Sequence, residues 1–256
     1  MVQGPGREHP RHRRFVARLR IRAAALHLYT ASGAVLAFLA TAEISSAAPD
    51  PRLVFLLLAA AVLVDATDGP LARRWEVKRW LPAIDGRTID DIVDYLTYTF
   101  VPLLLVWRMG WVPEPGAGWI APALLASLFG FANTGIKDET GGFFLGFPSY
   151  WNVVAFYAGF VHRLYGPEVN AVVIVLLSVA TVLPIRFLYP NLAPRPWRAP
   201  VIAGALLWLG AMLWMLPDYP RAPAWAAWLS LLYPAFYVGL SFRLARSVKR
   251  PGPDAG

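Results

Sequence analysis

The 256-residue chain contains no cysteine, so disulfides, cysteine-ligated metals and thiol chemistry are all excluded. Charged residues are also scarce, at 16% of the chain, whereas hydrophobic residues make up 57%. A soluble domain carries roughly 25% charged residues. The shortage of charge therefore argues against a water-soluble domain and indicates a protein of the membrane.

Several familiar functional patterns are missing as well. The sequence has no glycine-rich phosphate loop, no serine–histidine–aspartate arrangement and no internal repeat of the kind that builds many transporters. The histidines are scattered, and we interpret each as structural or incidental rather than as a metal ligand: His9, His12, His27 and His162. Acidic side chains are left as the candidates for chemistry.

Long apolar runs predict an all-α polytopic membrane protein, because about 20 apolar residues are enough for a helix to cross a bilayer. We predict a bundle of about eight transmembrane helices. The predicted spans are residues 23–45, 52–73, 88–109, 118–136, 149–165, 168–189, 199–216 and 223–246. This divides the chain into a basic segment at 1–22, an integral membrane domain at 23–246 and a tail at 247–256.

The basic N-terminal segment alternates arginines with apolar residues. Its arginines between positions 8 and 22 are Arg11, Arg13, Arg14, Arg18, Arg20 and Arg22. The pattern predicts an amphipathic helix on the cytoplasmic membrane surface. A solvated tail that only sets topology is an alternative. A signal peptide ending near Ser45 is another, although the long apolar core, with His27 and Tyr29 in it, argues against that one.

The distribution of basic residues predicts the orientation in the membrane. With the N-terminus inside and eight spans, 20 of the 24 basic residues are cytoplasmic, and the exceptions are Arg52, Arg108, Arg163 and Arg221. This asymmetry obeys the positive-inside rule and predicts that both termini are cytoplasmic. We interpret the net charge of +8 as an adaptation to anionic lipid rather than to nucleic acid. The preference for arginine over lysine points to a bacterial source, and hence to the inner membrane.

Acidic residues stand at the ends of two neighbouring predicted spans, where ionised carboxylates are costly and mark a functional site. Asp65 and Asp68 project on one face of the first helix, with Gly69 and Ala72 on the same face. On the second helix a stripe at four-residue spacing consists of Gly86, Asp90 and Asp94. Packing these faces together would make four carboxylates converge.

Four converging carboxylates cannot all remain ionised without a cation between them. Ligation by oxygen alone suits Mg²⁺ or Mn²⁺, and two such ions can hold a pyrophosphate during displacement. Gly69 and Ala72 have a plainer interpretation in isolation, since small residues allow close helix packing in any membrane bundle.

The same residues carry a resemblance to a known family. The order of two acids, glycine, alanine–arginine, a spacer, glycine and two more acids resembles the signature of the CDP-alcohol phosphotransferases. Most members have eight residues in the spacer, whereas this chain has twelve, at 74–85. That longer variant resembles the bacterial phosphatidylcholine synthases, one branch of the family. Segments 27–33 and 143–152 also look like that branch.

The resemblance implies a fold, a reaction and roles for particular residues. It implies a six-helix family core plus two further helices, often paired as a homodimer. The implied reaction transfers the phosphatidyl group of CDP-diacylglycerol to choline, with Mg²⁺ or Mn²⁺, and releases CMP. Asp65, Asp68 and Asp90 would bind metal, and Asp94 would be both a ligand and the general base. The implied nucleotide contacts are Gly69, Ala72, Arg73 and Gly86, while Thr67 and Asp91 stay open.

The acceptor is harder to predict. Aromatic faces hold quaternary ammonium groups, which makes Phe147, Tyr150 and Trp151 candidates for binding choline, although membership of an interfacial aromatic belt is the plainer explanation of each one alone. Asp138 and Glu139 would add negative charge. A phosphorylated acceptor would instead need a basic pocket, for which the candidates are Lys137, Arg186, Arg195 and Arg198. Serine, inositol or glycerol phosphate as acceptor, and a cation transporter, are the remaining alternatives.

Overall fold

The computed structural model describes residues 10–133, 137–138 and 142–247, and most of them are helical. The α-helices are α1 (Pro10–Ile44), α2 (Pro51–Arg74), α3 (Val77–Trp80), α4 (Gly86–Asp94), α5 (Val101–Arg108), α6 (Gly116–Ala132), α7 (Trp151–Tyr165), α8 (Pro167–Val182), α9 (Arg195–Met215), α10 (Ala224–Ser230) and α11 (Leu232–Ser247). A π-helical segment, Tyr95–Phe100, joins α4 to α5.

Within the described part of the chain, four helical segments are long and apolar enough to cross a membrane. They are Arg13–Ile44, Pro51–Arg74, Arg195–Asp218 and Ala224–Arg246. Gly116–Ala132 and Pro167–Val182 are apolar but shorter. The prediction of an all-helical membrane protein is therefore confirmed at this level, with four spans by length and composition where eight were predicted.

Helix α1 is one uninterrupted element, whereas the sequence predicted a surface helix up to residue 22 followed by a separate span. Its 35 residues contain one proline, at the first position, and one glycine, Gly33. Nothing in the sequence therefore breaks the helix between its basic and apolar parts. At 1.5 Å per residue it extends for about 50 Å, more than the hydrocarbon core of a bilayer requires.

The segment that carries the second acid pair is helical throughout but changes its winding after Asp94. The backbone passes from α4 into the π-helical segment and then into α5. Pro102, in the first turn of α5, has no N–H to donate to the preceding turn. Such π-helical insertions are frequent at functional sites, and this one begins at the residue after the fourth acid.

A small antiparallel sheet was not predicted. Its strands are β1 (Lys137–Asp138), β2 (Phe143–Leu145) and β3 (Arg186–Leu188), in that spatial order. The predicted span at 168–189 ends early, at Val182, because Leu183 precedes a proline and adopts an extended conformation. The chain can then pair β3 with β2, and Ser241 of α11 accepts the N–H of Leu188.

The main core lies where α1, α2, α5, α7 and α8 meet. Ala40, Val54, Leu105, Trp151 and Ile174 are at most 1% exposed. Their burial brings together helices that are far apart in the sequence, and α1 packs most extensively against α2. This packing places the second half of α2 beside α1 and α4, which is where the acids lie.

The twelve-residue spacer between the acid pairs is also ordered. Val77 of α3 is buried against Ala23 and Leu26 of α1. Trp75 receives the guanidinium of Arg22 over its ring, 4.1 Å from the centroid. The spacer therefore folds back onto the first half of α1.

Arginines at the opposite end of the molecule bind backbone carbonyls. Arg52 donates to the carbonyl of Pro217, and Arg108 donates to that of Ser46, at 3.3 and 3.2 Å. Arg163 donates to the carbonyl of Ala222 at 3.5 Å. Three of the four basic residues predicted to lie outside the cytoplasm thus lie at the end remote from the acids.

Candidate metal and nucleotide site

Asp65, Asp68 and Asp90 form a carboxylate cluster. Asp65 and Asp68 come from the second half of α2, and Asp90 comes from the middle of α4. One carboxylate oxygen from each lies within 4.8 Å of the other two. Asp68 is 6% exposed, while the other two are partly buried. The structure therefore brings together three of the four predicted acids at a distance suited to a shared cation.

The fourth acid, Asp94, lies one helical turn beyond Asp90 on α4, about 6 Å further along the axis. Its carboxylate is not one of the three in the cluster. Its charge acts on Tyr98 and Tyr150, as the charge of Asp65 also does. Asp94 thus stands on the side of the cluster that faces the aromatic residues.

Asp68 shows that the cluster fits a bound cation. Its carboxylate accepts hydrogen bonds from the Thr30 hydroxyl and from the N–H of Gly69. The second oxygen, Oδ2, is buried and has no hydrogen-bond partner among the described residues. Leaving a buried anionic oxygen unpaired is costly, and a divalent cation between the three carboxylates would satisfy it.

Helix α1 supplies contacts that the motif alone did not predict. Besides the bond from Thr30 to Asp68, the Tyr29 hydroxyl lies 2.7 Å from that of Thr67. Because the Thr67 hydroxyl also bonds to the carbonyl of Leu63, at 2.7 Å, Tyr29 is the donor of this pair. Thr67 is therefore engaged within the protein. The resemblance of segment 27–33 was the signal in the sequence that pointed to these residues.

Gly69 leaves an open space beside α2, and Arg73 borders that space. A Cβ added at Gly69 would meet only the Nη1 atom of Arg73, at 3.6 Å, within 4 Å. The exposed guanidinium thus lies beside the glycine that follows Asp68. Ala72, in contrast, packs with the cluster of α1 and α3 residues around Ala23 and Leu26.

Gly86 begins α4 and faces α1. The preceding residue, Asp85, caps the helix, since its carboxylate accepts from the Thr88 hydroxyl at 2.8 Å and from the N–H of Arg87 at 3.1 Å. These two hydrogen bonds, with that from Thr88 the stronger influence, hold the pKa of Asp85 below its ordinary value. The cap fixes where the helix carrying Asp90 and Asp94 starts.

Tyr98 and Tyr150 form the aromatic side of the site. The Tyr98 hydroxyl donates to Oδ2 of Asp65 at 2.7 Å, and the two tyrosine rings lie 6.2 Å apart. Tyr98 follows Asp94 by one turn, so it extends the stripe of Gly86, Asp90 and Asp94. That spacing was a signal in the sequence that could have predicted its place in the site.

Trp151 is placed differently from Tyr150. It is 0% exposed, and its indole N–H donates to the Ser127 hydroxyl at 2.7 Å. Phe147 packs edge-on against it, with the ring centroids 5.5 Å apart. Neither face of the indole is open to a ligand in this arrangement, so of the two residues predicted to bind choline only Tyr150 lines an accessible space.

Other charged candidates lie apart from the cluster. Asp91 points toward Arg87, with 3.6 Å between Oδ2 and Nε. Arg195 and Arg198 are exposed in the first turn of α9, and Arg186 lies on β3. Glu139, and the side chains of Lys137 and Asp138, lie outside the described residues.

An apolar cavity of ≈ 280 Å³ leads away from the aromatic side. Helix α2 contributes the side of the cavity from Phe55 to Val62, one turn before Asp65, and Tyr98 and Tyr150 line it as well. Trp208 and neighbouring residues of α9 complete it. The cavity between α2, α7 and α9 therefore reaches Tyr98, whose hydroxyl bonds to Asp65.

No family model matches the chain. The chain is similar to a phosphatidylcholine synthase of Pseudomonas aeruginosa, with 36% identity over 219 residues, 84% of this chain and 88% of that protein. A protein of the same name from Rhizobium meliloti is 38% identical over 80% of this chain and 83% of its own length. A third, from Legionella pneumophila, is 32% identical over 85% of this chain and 86% of its own length. The similarity thus extends far beyond the acid motif.

Proposed function

The chain belongs to the phosphatidylcholine synthase family, and from that premise we propose that it transfers the phosphatidyl group of CDP-diacylglycerol to choline. The products are phosphatidylcholine and CMP. The observation that carries the proposal is similarity over at least four-fifths of the chain to proteins of that name, combined with the cluster of Asp65, Asp68 and Asp90.

The three clustered carboxylates bind the metal, with Asp94 available from the next turn of α4. Their oxygen donors suit Mg²⁺ or Mn²⁺. Two such ions, when bound, would neutralise the pyrophosphate of the lipid substrate and the CMP that leaves. The buried, unpaired Oδ2 of Asp68 supports this assignment.

The nucleotide end of the substrate lies along α2 at Gly69. The open space in front of this glycine lets a phosphate or cytidine group approach the helix backbone. Arg73 borders the same space, and its planar guanidinium can form paired hydrogen bonds to phosphate that lysine cannot reproduce. Both residues project toward the cytoplasmic end of α2, where a soluble nucleotide has access.

Asp94 acts as the general base. It takes the proton from the choline hydroxyl while the choline oxygen bonds to the phosphatidyl phosphorus. The bond from that phosphorus to the bridging oxygen breaks, and CMP leaves with that oxygen. The position of Asp94, outside the three-carboxylate cluster and near Tyr98 and Tyr150, supports this role because the acceptor must approach from a side that the metal ligands leave open.

Tyr150 offers its ring to the trimethylammonium group of choline, with Tyr98 beside it. Aromatic faces attract such cations by about 2 kcal/mol when the contact is desolvated. The negative charge of Asp65 and Asp94 nearby adds to that attraction. Trp151, buried behind Tyr150, supports the site by packing.

The acyl chains lie in the apolar cavity between α2, α7 and α9. The wall from Phe55 to Val62 extends for about 10 Å along α2 and ends one turn from Asp65. A lipid whose chains fill this cavity presents its phosphates to the carboxylate cluster. The substrate thus stays in the membrane while its nucleotide reaches the cytoplasm.

We further propose a membrane domain of about eight spans at 23–246, in the bacterial inner membrane, with segments 1–22 and 247–256 in the cytoplasm. The arginines bound to carbonyls at the end remote from the acids support this orientation. The shorter helices complete the count of spans beside the four long ones. A homodimer is the assembly that we propose from the family resemblance.

An acceptor screen tests the proposed function. Purified protein receives CDP-diacylglycerol and Mn²⁺ with choline, serine, inositol or glycerol 3-phosphate in separate reactions, and the lipid product and CMP are measured. We expect phosphatidylcholine and CMP with choline and no lipid product with the others. A product with another acceptor would contradict choline specificity and leave phosphatidyl transfer in place. No product with any acceptor, together with choline-dependent cation flux into proteoliposomes, would instead establish a transporter.

A further inference from the structure

Helix α1 meets α4 through two reciprocal glycine contacts. His27 of α1 lies against Gly86 of α4, where an added Cβ would be 2.9 Å from Cε1 and 3.3 Å from Nδ1 of the imidazole. Six residues further along α1, Gly33 receives Val93 of α4, and an added Cβ there would overlap the Cγ1 atom of Val93. Each helix thus contributes one glycine and one side chain that fills the space beside the other.

These two contacts lie on either side of the carboxylate cluster along the helix axes. Thr30, between His27 and Gly33, bonds to Asp68 of α2. Asp90 lies between Gly86 and Val93 on α4, and it shares the cluster with Asp68. Helix α1 is therefore joined to both acid-bearing helices at the level of the cluster.

The imidazole ring of His27 packs against its surroundings, and its buried Nε2 atom makes no hydrogen bond to the described residues. The imidazole ring does, however, fill the space in which a side chain at position 86 would begin. A Cβ there would lie closer to the ring than the ordinary carbon–carbon contact distance of about 3.5–4.0 Å. The space beside Gly86, which the family resemblance assigns to the nucleotide, is thus filled by His27 of the protein itself.

We infer that His27 and Val93 are positioning residues, which fix the distance between α1 and α4 and thereby hold the carboxylate of Asp90 close enough to that of Asp68 for the two to share a divalent cation. Gly86 and Gly33 are required because the two side chains need their space, and Gly86 makes no contact with the nucleotide. This inference rests on the proposed function only in so far as the carboxylates bind a divalent cation.

Enlarging each glycine and truncating the side chain that contacts it tests the inference. Gly86→Ala should displace α4 and weaken Mn²⁺ binding, and a displacement of this kind is expected to cost about 10²-fold in phosphatidyl transfer. Removing the ring in the double variant His27→Ala/Gly86→Ala should restore both to about the level of His27→Ala alone, within about threefold. Val93→Ala should rescue Gly33→Ala in the same way. Gly210→Ala is the control, because a Cβ there would meet nothing within 4 Å.

The measurements are the Mn²⁺ dissociation constant by electron paramagnetic resonance, CDP binding by calorimetry, and the melting temperature. None of them uses choline, so a wrong acceptor would leave the result unchanged. If the double variant at positions 27 and 86 stays as impaired as Gly86→Ala and fails to bind CDP, Gly86 contacts the nucleotide and the inference is wrong. If Gly86→Ala does not fold, recovery of folding in the double variant supports the inference, and its absence contradicts it.

Discussion

The two sides of the site differ in how they are built. The carboxylate side consists of charged groups at fixed helical spacing on α2 and α4, held by α1 through Thr30. The aromatic side consists of Tyr98 and Tyr150, from segments about 50 positions apart, and opens into an apolar cavity. The first arrangement suits the part of the reaction that every nucleotide-activated lipid needs. The second suits the choice of acceptor, since the ring of Tyr150 can be changed while the hydrogen bond from Tyr98 to Asp65 stays in place.

The largest effect should come from the carboxylate side. Asp90→Asn removes a charge from the cluster. Loss of a general base lowers activity by roughly 10²–10⁴-fold, and we expect Asp90→Asn to lower it further. The rate of CMP release as a function of Mn²⁺ concentration measures this loss. In the unmodified protein, removal of metal by EDTA should abolish turnover until Mn²⁺ or Mg²⁺ is returned.

The neighbouring acid is the matched control for this change. Asp91 pairs with Arg87 at the surface, and exposed ion pairs contribute about 0–1 kcal/mol. Asp91→Asn should therefore retain activity and metal dependence. Equal losses in the two variants would show that the charge of the helix, rather than the cluster, matters.

Asp94 stands between the two sides, and its loss should affect the chemical step more than substrate binding. Asp94→Asn is expected to lower kcat by about 10²–10⁴-fold, because proton removal from the acceptor is lost. Binding of CDP-diacylglycerol should change little, since three carboxylates remain in the cluster. Turnover within about tenfold of the unmodified protein would exclude Asp94 as the base.

A smaller and more selective effect is expected on the aromatic side. Tyr150→Ala should raise the KM for choline by about tenfold or more, the size of a lost cation–π contact, and leave the KM for CDP-diacylglycerol nearly unchanged. Steady-state kinetics with each substrate varied in turn measure the difference. Tyr150→Phe keeps the aromatic face and should keep the KM for choline.

Trp151 provides the contrast with Tyr150. Because its ring is fully buried and bonded to Ser127, Trp151→Ala should destabilise the protein by about 3–5 kcal/mol, with no selective effect on choline. Thermal unfolding in detergent measures the loss. A choline-specific KM effect in a Trp151 variant of normal stability would move the acceptor contact from Tyr150 to Trp151.

The smallest effect concerns the start of α4. Asp85→Ala removes the cap and should lower the melting temperature slightly, whereas Asp85→Asn should retain most of the capping. The pKa of Asp85 is lowered in the folded protein, so the stability that its ionised form adds is present at neutral pH and is lost as the pH falls through that lowered pKa. Melting curves of the two variants between neutral and acidic pH test this, and an Asn variant with the same pH dependence as the unmodified protein would contradict it.

The carboxylate side could be predicted from the sequence because helical spacing determines which side chains share a face. Asp65, Asp68 and Asp90 needed only two helices and their periodicity. Tyr150 and Trp151 were both predicted as aromatic candidates. The sequence could not predict which of them is buried, because Trp151 is buried through its packing against Ser127 and Phe147. The cavity wall from α9 depends on a contact between segments about 150 positions apart and left no pattern in the sequence.

The elements differ in the same way. Long apolar runs predicted α2, α9 and the apolar part of α1 well, because a membrane helix is specified by local composition. The small sheet was missed because its strands are two or three residues long, and because β3 pairs with β2 across about 40 positions. The proline after Leu183 was the local sign that the predicted span at 168–189 had to end early.

The central claim is that carboxylates of α2 and α4 share a divalent cation that binds the nucleotide of an activated lipid. Crystals grown with Mn²⁺ and CDP, and measured at the manganese absorption edge, test it most directly. We predict anomalous density between Asp65, Asp68 and Asp90, with the diphosphate of CDP beside it near Gly69 and Arg73. Density for CDP without manganese among these three residues, or manganese bound elsewhere on the protein, would contradict the claim.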